Sequence, residues 1–236
     1  MAASFNISKT EFLAYLSCPL KYYIIKWFNL HAEEGPRGPR DYSRFSSASK
    51  GGMFIHRWLS SFYDQYSHLI PDGSLPEEFE HWTVARLFWE AEYHRYLVDP
   101  DHWEPLALEL YLRSDWQRGT IDRIDPVGLT GCRIVEYKPS RRSVDWEELL
   151  FYALLASESL DFHEQTDRVV EEIGCYCYLQ GNFLVRSVTE EDLLGFKDFL
   201  LEIKEEILSG HWVRKSDCLG PEEGCDYYIV CKNITL

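Results

Sequence analysis

Apolar residues change their spacing along the chain, from helical to strand-like and back. Ser8-Lys9-Thr10-Glu11 sets a hydroxyl and a carboxylate three residues apart, a capping box that opens a helix toward Tyr15. Pro19 suits a first helical turn, and an aromatic-rich helical piece over residues 20–30 continues from it. Residues 31–52 are polar and rich in Gly, Pro, Ser and Arg, the pattern of a mobile loop. Helices are predicted over 53–68 and 78–97, the second carrying Phe79, Trp82, Leu87, Phe88 and Tyr93. The period then becomes two. Leu106, Leu108, Leu110 and Leu112 alternate with Ala107, Glu109, Tyr111 and Arg113, as in a half-buried strand. Residues 118–125 and 132–138 read as two more strands around a Pro126-Val127-Gly128 turn, followed by a helix over 146–157. Residues 173–179 and 183–188 form a predicted hairpin turning at Gly181-Asn182. Thr189 caps a long amphipathic helix over 190–209, which Gly210 ends.

With 236 residues, 45% hydrophobic and 15% aromatic, the chain has ample material for a core, so intrinsic disorder is excluded. One domain over 1–236 is expected: N-terminal helices and loop (1–50), a core (51–210) and a tail (211–236). No apolar run approaches the roughly 18 residues that span a bilayer, and the first residues lack a signal-like apolar stretch. A soluble, cytoplasmic chain without a membrane partner is therefore expected.

Taken alone, the formal net charge of −15 argues against a nucleic-acid partner, because phosphate contacts need Lys and Arg. Its distribution removes most of that objection. Residues 1–142 hold 17 basic and 19 acidic residues, whereas residues 143–210 hold 4 basic and 16 acidic. Arg37, Arg40, Arg44 and Lys50 gather in the polar segment, and Arg141 and Arg142 follow Lys138. Such runs also occur as plain solvated loops.

Seven cysteines divide into two groups. Cys132, Cys175 and Cys177 fall in strand-like apolar runs and read as buried thiols. Cys218, Cys225 and Cys231 sit in a short polar tail, and Cys18 lies near the other end of the chain. Four thiolates complete a tetrahedral zinc site or ligate a four-iron cluster, and the spacing is not the paired CxxC of zinc ribbons.

The remaining chemistry is concentrated in two strands. Gly119-Thr120-Ile121-Asp122 sets a carboxylate near a glycine that permits close approach. Glu136 and Lys138, two residues apart, share one face of a strand. Two carboxylates can share one hard divalent ion, Mg2+ or Mn2+, while a nearby ammonium positions the attacking water or neutralises charge in the transition state. A bare ExK would equally be an ion pair on a solvated sheet face. Its neighbours add weight to the chemical reading: His56 on the helix after the polar segment, Glu109 opposite the leucines, and Glu148 and Tyr152 one turn apart on a helix.

Taken in order, Gly52–His56, Gly119–Asp122, Glu136–Lys138 and the helix bearing Tyr152 resemble the RecB-type branch of the PD-(D/E)XK nuclease superfamily. One cysteine before this core and three after it resemble its iron–sulfur subgroup, and the free-standing chain is most similar to CRISPR-associated exonucleases. The resemblance implies an α/β restriction-endonuclease-like core, a central mixed sheet flanked by helices, with the N-terminal helical piece and Cys-rich tail joined by a cluster. It makes His56, Asp122 and Glu136 the ligands of Mg2+ or Mn2+, Lys138 the catalytic lysine, and Tyr152 and Glu148 site residues. Cys18, Cys218, Cys225 and Cys231 would hold a [4Fe–4S] cluster. The implied activity is metal-dependent cleavage of single-stranded DNA, 5′ to 3′ from an end, in spacer acquisition or DNA repair, with protein partners on the acidic 143–210 surface. Glu148 stands where that family usually carries glutamine, and the Cys218–Cys225 spacing is longer than its commoner one. Two other readings remain open: a non-catalytic assembly subunit keeping the fold, and a zinc-stabilised DNA-binding module.

Overall fold

The computed structural model describes residues 5–32, 47–210, 212 and 231. The capping box forms as the sequence predicts: Ser8 Oγ accepts from the Glu11 N–H at 3.3 Å, and Glu11 Oε2 accepts from the Ser8 N–H at 2.8 Å. In chain order the elements are β1 (Ile7–Ser8), α1 (Lys9–Ser17), α2 (Pro19–Ala32), α3 (Ser47–Tyr66), α4 (Thr83–Val98), β2 (Ala107–Arg113), β3 (Gln117–Val127), β4 (Gly131–Lys138), α5 (Trp146–Glu158), α6 (Leu160–Thr166), β5 (Val169–Cys177), β6 (Asn182–Ser187) and α7 (Glu190–Ser209).

The strands form one mixed sheet in the order β1-β3-β4-β5-β6, with β2 also paired to β3. Pairs β2–β3, β3–β4 and β5–β6 are antiparallel, while β1–β3 and β4–β5 are parallel. Two apolar clusters cover the sheet. One gathers Phe12 of α1, Ile121, Ile134, Leu149 and Phe151 of α5, and Phe196 and Leu200 of α7. The other packs Leu59 and Phe62 of α3 and Phe88 of α4 against Val135, Tyr137 and Tyr176. Ile134 and Val135, adjacent on β4, thus enter opposite layers, as the strand period requires. A mixed sheet flanked by helices is the architecture expected.

Several boundaries differ from expectation. α3 starts at Ser47 rather than 53, because a helix already nucleated by its packed Trp58–Phe62 stretch extends at one hydrogen bond per residue fixed, through Gly51 and Gly52. The helix predicted from 78 starts at Thr83. Phe79 is drawn into the core in a 3-10 turn instead, its ring 5.4 Å from Trp58. Pro126 and Val127 belong to β3, and Gly128, at φ +56°, makes the turn. The sequence pattern predicts neither β1 nor α6. The second hairpin forms, but β5 starts at Val169 rather than 173 and ends at Cys177 rather than 179, while α7 and its Thr189 and Gly210 caps match. Cys132, Cys175 and Cys177 are fully buried.

The two ends of the described chain meet. Trp212 packs on Tyr22 and Tyr23, with ring centroids 5.7 and 5.3 Å apart, and Tyr15 donates to Glu206. Arg37, Arg40, Arg44, Cys218 and Cys225 lie outside the described residues. No helix among the described residues is long and apolar enough to cross a membrane.

Candidate active site

The site begins as a break in the sheet. β3 pairs with β2 along residues 118–124 on one side. Arg123 is matched to Leu108 of β2 and to Val135 of β4, so β4 lies on the other side. Arg118 is likewise matched to Arg113 of β2 and to Ser8 of β1, so β1 shares β4's side. The β3–β4 ladder ends at Arg123↔Val135 and the β1 contact begins at Arg118. Between them, residues 119–122 of β3 face an opening, and Asp122 and Glu136 occupy what would be the next rung. Asp122 Oδ2 closes one loose end by accepting from the Tyr137 N–H at 2.9 Å.

The glycine at 119 has a steric reason. A Cβ at 119 would lie 2.8 Å from Cε1 of Tyr152, so glycine is what lets that ring settle on the strand. Tyr152 and Glu148, one turn apart on α5, are both buried. Asp145 caps this helix by accepting from the N–H groups of Glu147 and Glu148.

On β4, Glu136 and Lys138 share a face while Tyr137 between them enters the aromatic layer. Lys138 Nζ lies 2.5 Å from Glu148 Oε2 and 3.8 Å from Glu136 Oε2. Glu136 is buried, and its Oε1 has no hydrogen-bond partner among the described residues. Burial, reinforced by the carboxylates of Asp122 and Glu148, pushes the Glu136 carboxyl well above the usual range, while Lys9 and Lys138 pull it back. Glu148 goes the other way: burial opposes its ionisation, but the two lysines outweigh it and hold the carboxyl low.

His56 reaches the opening from α3, its Nδ1 3.3 Å from Asp122 Oδ2. Burial favours the neutral ring, but the Asp122 contact and the Glu109 charge win and raise the imidazole's pKa. Glu109 is at φ +49°, in the left-handed region that costs a non-glycine residue about 1–2 kcal/mol. Its place in the β2–β3 register falls opposite Asp122, between the rungs Leu108↔Arg123 and Leu110↔Ile121. Burial and the Asp122 charge raise its pKa. Glu109, His56, Gly52, Met53, Arg57 and Ser60 line a cleft of about 580 Å³.

All the non-cysteine residues expected at the site converge here: His56, Asp122, Glu136, Lys138, Glu148 and Tyr152. Two further residues belong with them. In the sequence Glu109 stands out only as a neighbour, and nothing there signals its left-handed backbone. Lys9 carries no sequence signal of a site role. It lies 2.5 Å from Glu148 Oε1, 3.8 Å from Glu136 Oε2 and 5.4 Å from the centre of the Tyr152 ring.

Among the described residues, no three or more His, Cys, Asp or Glu converge as a ready-made metal cage. The donors still suit a hard divalent ion. Mg2+ is commonly held by one or two carboxylates, water and substrate phosphate rather than by an all-protein cage. Asp122 and Glu136 would supply that pair, and Glu136 Oε1, buried without a hydrogen-bond partner among the described residues, fits such a role. Cys18, between α1 and α2, and Cys231 are partly exposed, and their two expected co-ligands lie outside the described residues.

A family model described as the PD-(D/E)XK nuclease superfamily matches residues 6–232. No curated protein matches the chain.

Proposed function

The chain belongs to the PD-(D/E)XK nuclease superfamily, and from that membership we propose that it hydrolyses DNA phosphodiester bonds with a divalent metal, acting on single strands. The observation that carries this reading is the placement of Asp122 and Glu136 beside each other just past the last β3–β4 rung, at the opening in the sheet, with the Lys138 ammonium 3.8 Å from Glu136. Asp122 and Glu136 would hold Mg2+ or Mn2+, with His56 beside Asp122. When bound, that ion supplies Lewis acidity and a water acidified enough to attack phosphorus. Lys138 supplies a fixed positive charge where negative charge accumulates as the P–O bond to water forms and the bond to the leaving sugar oxygen breaks. Glu148 orients Lys138. Tyr152, seated on Gly119, walls the site on the α5 side.

Two finer assignments accompany the proposal. Cys18, Cys218, Cys225 and Cys231 bind a [4Fe–4S] cluster that ties the N-terminal helices to the tail; packing of Trp212 on Tyr22 and Tyr23 supports it by bringing the start of the tail beside the helix that follows Cys18. Thiolates are soft ligands and take no part in phosphate chemistry. The exposed acids of α7, among them Glu190, Glu191, Glu202 and Glu205, suit a basic protein partner of a spacer-acquisition or repair assembly.

The test is anaerobic purification, a visible spectrum, and assays on labelled single-stranded and duplex DNA with Mn2+ and with Mg2+. Wild type should cut single strands, Asp122→Ala and Lys138→Ala should lose about 100-fold or more of the rate, and the protein should be brown. Equal cutting by wild type and both variants would sink the nuclease reading, and a colourless active protein would sink the cluster alone.

A further inference from the structure

Lys9 occupies a position that elementary electrostatics disfavours. It is the first residue of α1, where the helix dipole is positive and an acid is the favoured occupant. It is also only partly exposed. Its location is nonetheless tightly fixed. Ser8 pairs with Arg118 in the β1–β3 ladder and caps α1, and Glu11, the other half of the capping box, is held by Lys26 at 2.6 Å and Arg118 at 3.2 Å. Because β1 and β4 lie on the same side of β3, this anchoring delivers Lys9 to the opposite bank of the opening from Lys138.

The two lysines are arranged almost symmetrically. Each takes one oxygen of Glu148 at 2.5 Å, and each stands 3.8 Å from Glu136 Oε2. Asp122, Glu136 and Glu148 together carry three negative charges when ionised, and a phosphodiester adds a fourth. With Lys138 alone, Glu148 would hold the catalytic ammonium as a closed pair beside two more acids. A second ammonium on the other Glu148 oxygen balances that carboxylate and leaves Lys138 oriented yet available.

Resting on the nuclease reading above, we infer that Lys9 is a positioning residue of the active site, acting through Glu148 on Lys138, so that the N-terminal strand and helix complete the catalytic centre. The partner of Lys9 in this role is the carboxylate between the two lysines. The inference requires Lys9 and Glu148 to behave as one unit, so that removing both costs less than the separate losses combined.

The experiment compares wild type, Lys9→Met, Lys9→Arg, Glu148→Gln, the Lys9→Met/Glu148→Gln double variant and Lys138→Ala. It reads kcat and KM on labelled single-stranded DNA, Mn2+ affinity by calorimetry, and melting temperature. Lys9→Met should lower kcat by about 10- to 100-fold with KM little changed. It should also tighten Mn2+ binding by about threefold or more, because a cation beside the acids is gone. Lys9→Arg should keep most of the rate, and the double variant should recover kcat relative to Lys9→Met. A merely structural role predicts the opposite metal result, weaker Mn2+ binding together with a lowered melting temperature, and would overturn the inference. So would single losses that simply multiply in the double variant. If wild type cuts, Lys138→Ala does not, and Lys9→Met matches wild type, Lys9 fails alone. A wild type that neither binds Mn2+ nor cuts overturns the nuclease reading, and Lys9 with it.

Discussion

Two neighbouring residues of β3 anchor charge clusters of opposite character. Arg123 is fully buried, donating to Glu92 at 2.8 and 3.2 Å and to Asp125 at 2.6 Å, with Arg95 bound to the same two acids at 2.7 and 3.1 Å. Two guanidinium groups face two carboxylates, and the rings of Tyr63, Phe88 and Phe183 flank the Arg123 plane. Asp122, one residue earlier, meets a cluster in which Asp122, Glu136, Glu148 and Glu109 outnumber Lys9 and Lys138. Each cluster leaves one buried carboxylate oxygen unpartnered, on Asp125 and on Glu136. What separates them is balance and access. The Arg123 network neutralises itself and is sealed, so it serves the fold. The Asp122 cluster keeps an excess of acid beside partly exposed groups, which is what a cation-binding site needs.

The sharpest way to break that comparison is to remove a charge from each side. Arg123→Met leaves Glu92 and Asp125 buried with only Arg95, and should cost about 3–5 kcal/mol in urea unfolding, enough to lower cleavage only through lost folded protein. Glu136→Gln removes a charge from the acid-rich side. The metal-free protein should change by less than about 1 kcal/mol, while Mn2+ binding and cleavage are lost. If Glu136→Gln unfolds the protein as badly as Arg123→Met, the acid-rich cluster is structural and the distinction fails.

How far the sequence reveals this depends on the range of the forces involved. The Ser8–Glu11 box, the Thr189 and Gly210 caps and the β5–β6 hairpin were legible because each is decided within a few residues. Glu136 and Lys138 were legible because strand periodicity alone puts i and i+2 on one face. Lys9 was not, because it reaches the site through a two-residue parallel pairing with β3, more than a hundred residues away, which carries no propensity signal. Nor was the Arg123 network, since a lone Arg in a strand reads as solvent-facing until Glu92 and Arg95 of α4 are folded over it. Glu109 looked like ordinary alternation, and only its left-handed backbone marks it as unusual. The starts of α3 and α4 shifted because packing, not composition, decides where those helices begin.

A smaller effect is expected at Gly119, where fold and site meet. Gly119→Ala brings a methyl carbon to 2.8 Å from the Tyr152 ring, which must tilt away and take its contact with Lys9 with it. The expected cost is about 1–3 kcal/mol in stability, below that of Arg123→Met. The loss of cleavage should exceed what the unfolded fraction explains. Gly174→Ala, which crowds the Leu184 carbonyl of β6 at 2.6 Å, away from Tyr152, should lower stability without that extra loss. Equal activity losses per kcal/mol in the two variants would show that Tyr152 is packing alone.

The smallest effect separates the clusters by proton and metal. His56 faces Asp122 and Glu109, which raise its pKa, against burial and Lys138, which lower it. A histidine whose folded pKa exceeds its unfolded value contributes stability that is fully present below the unfolded pKa and is lost as pH rises through the folded one. With chelator present, the melting gap between wild type and Asp122→Asn should therefore be wider at pH 6 than at pH 8.5, by about 1 °C given the partial exposure of the pair. Burial lifts Glu92 of the Arg123 network to about 7, so that network has a pH response of its own, but it does not touch His56, and the wild type-to-Asp122→Asn gap should widen by the same amount in a Glu92→Gln background. Mg2+ provides the decisive control. A divalent ion taken up by Asp122 repels the imidazolium, so the His56 ring proton resonance should titrate at lower pH once Mg2+ is added. An unmoved His56 titration at saturating Mg2+ would place the ion away from Asp122 and leave the opening in the sheet without its cation.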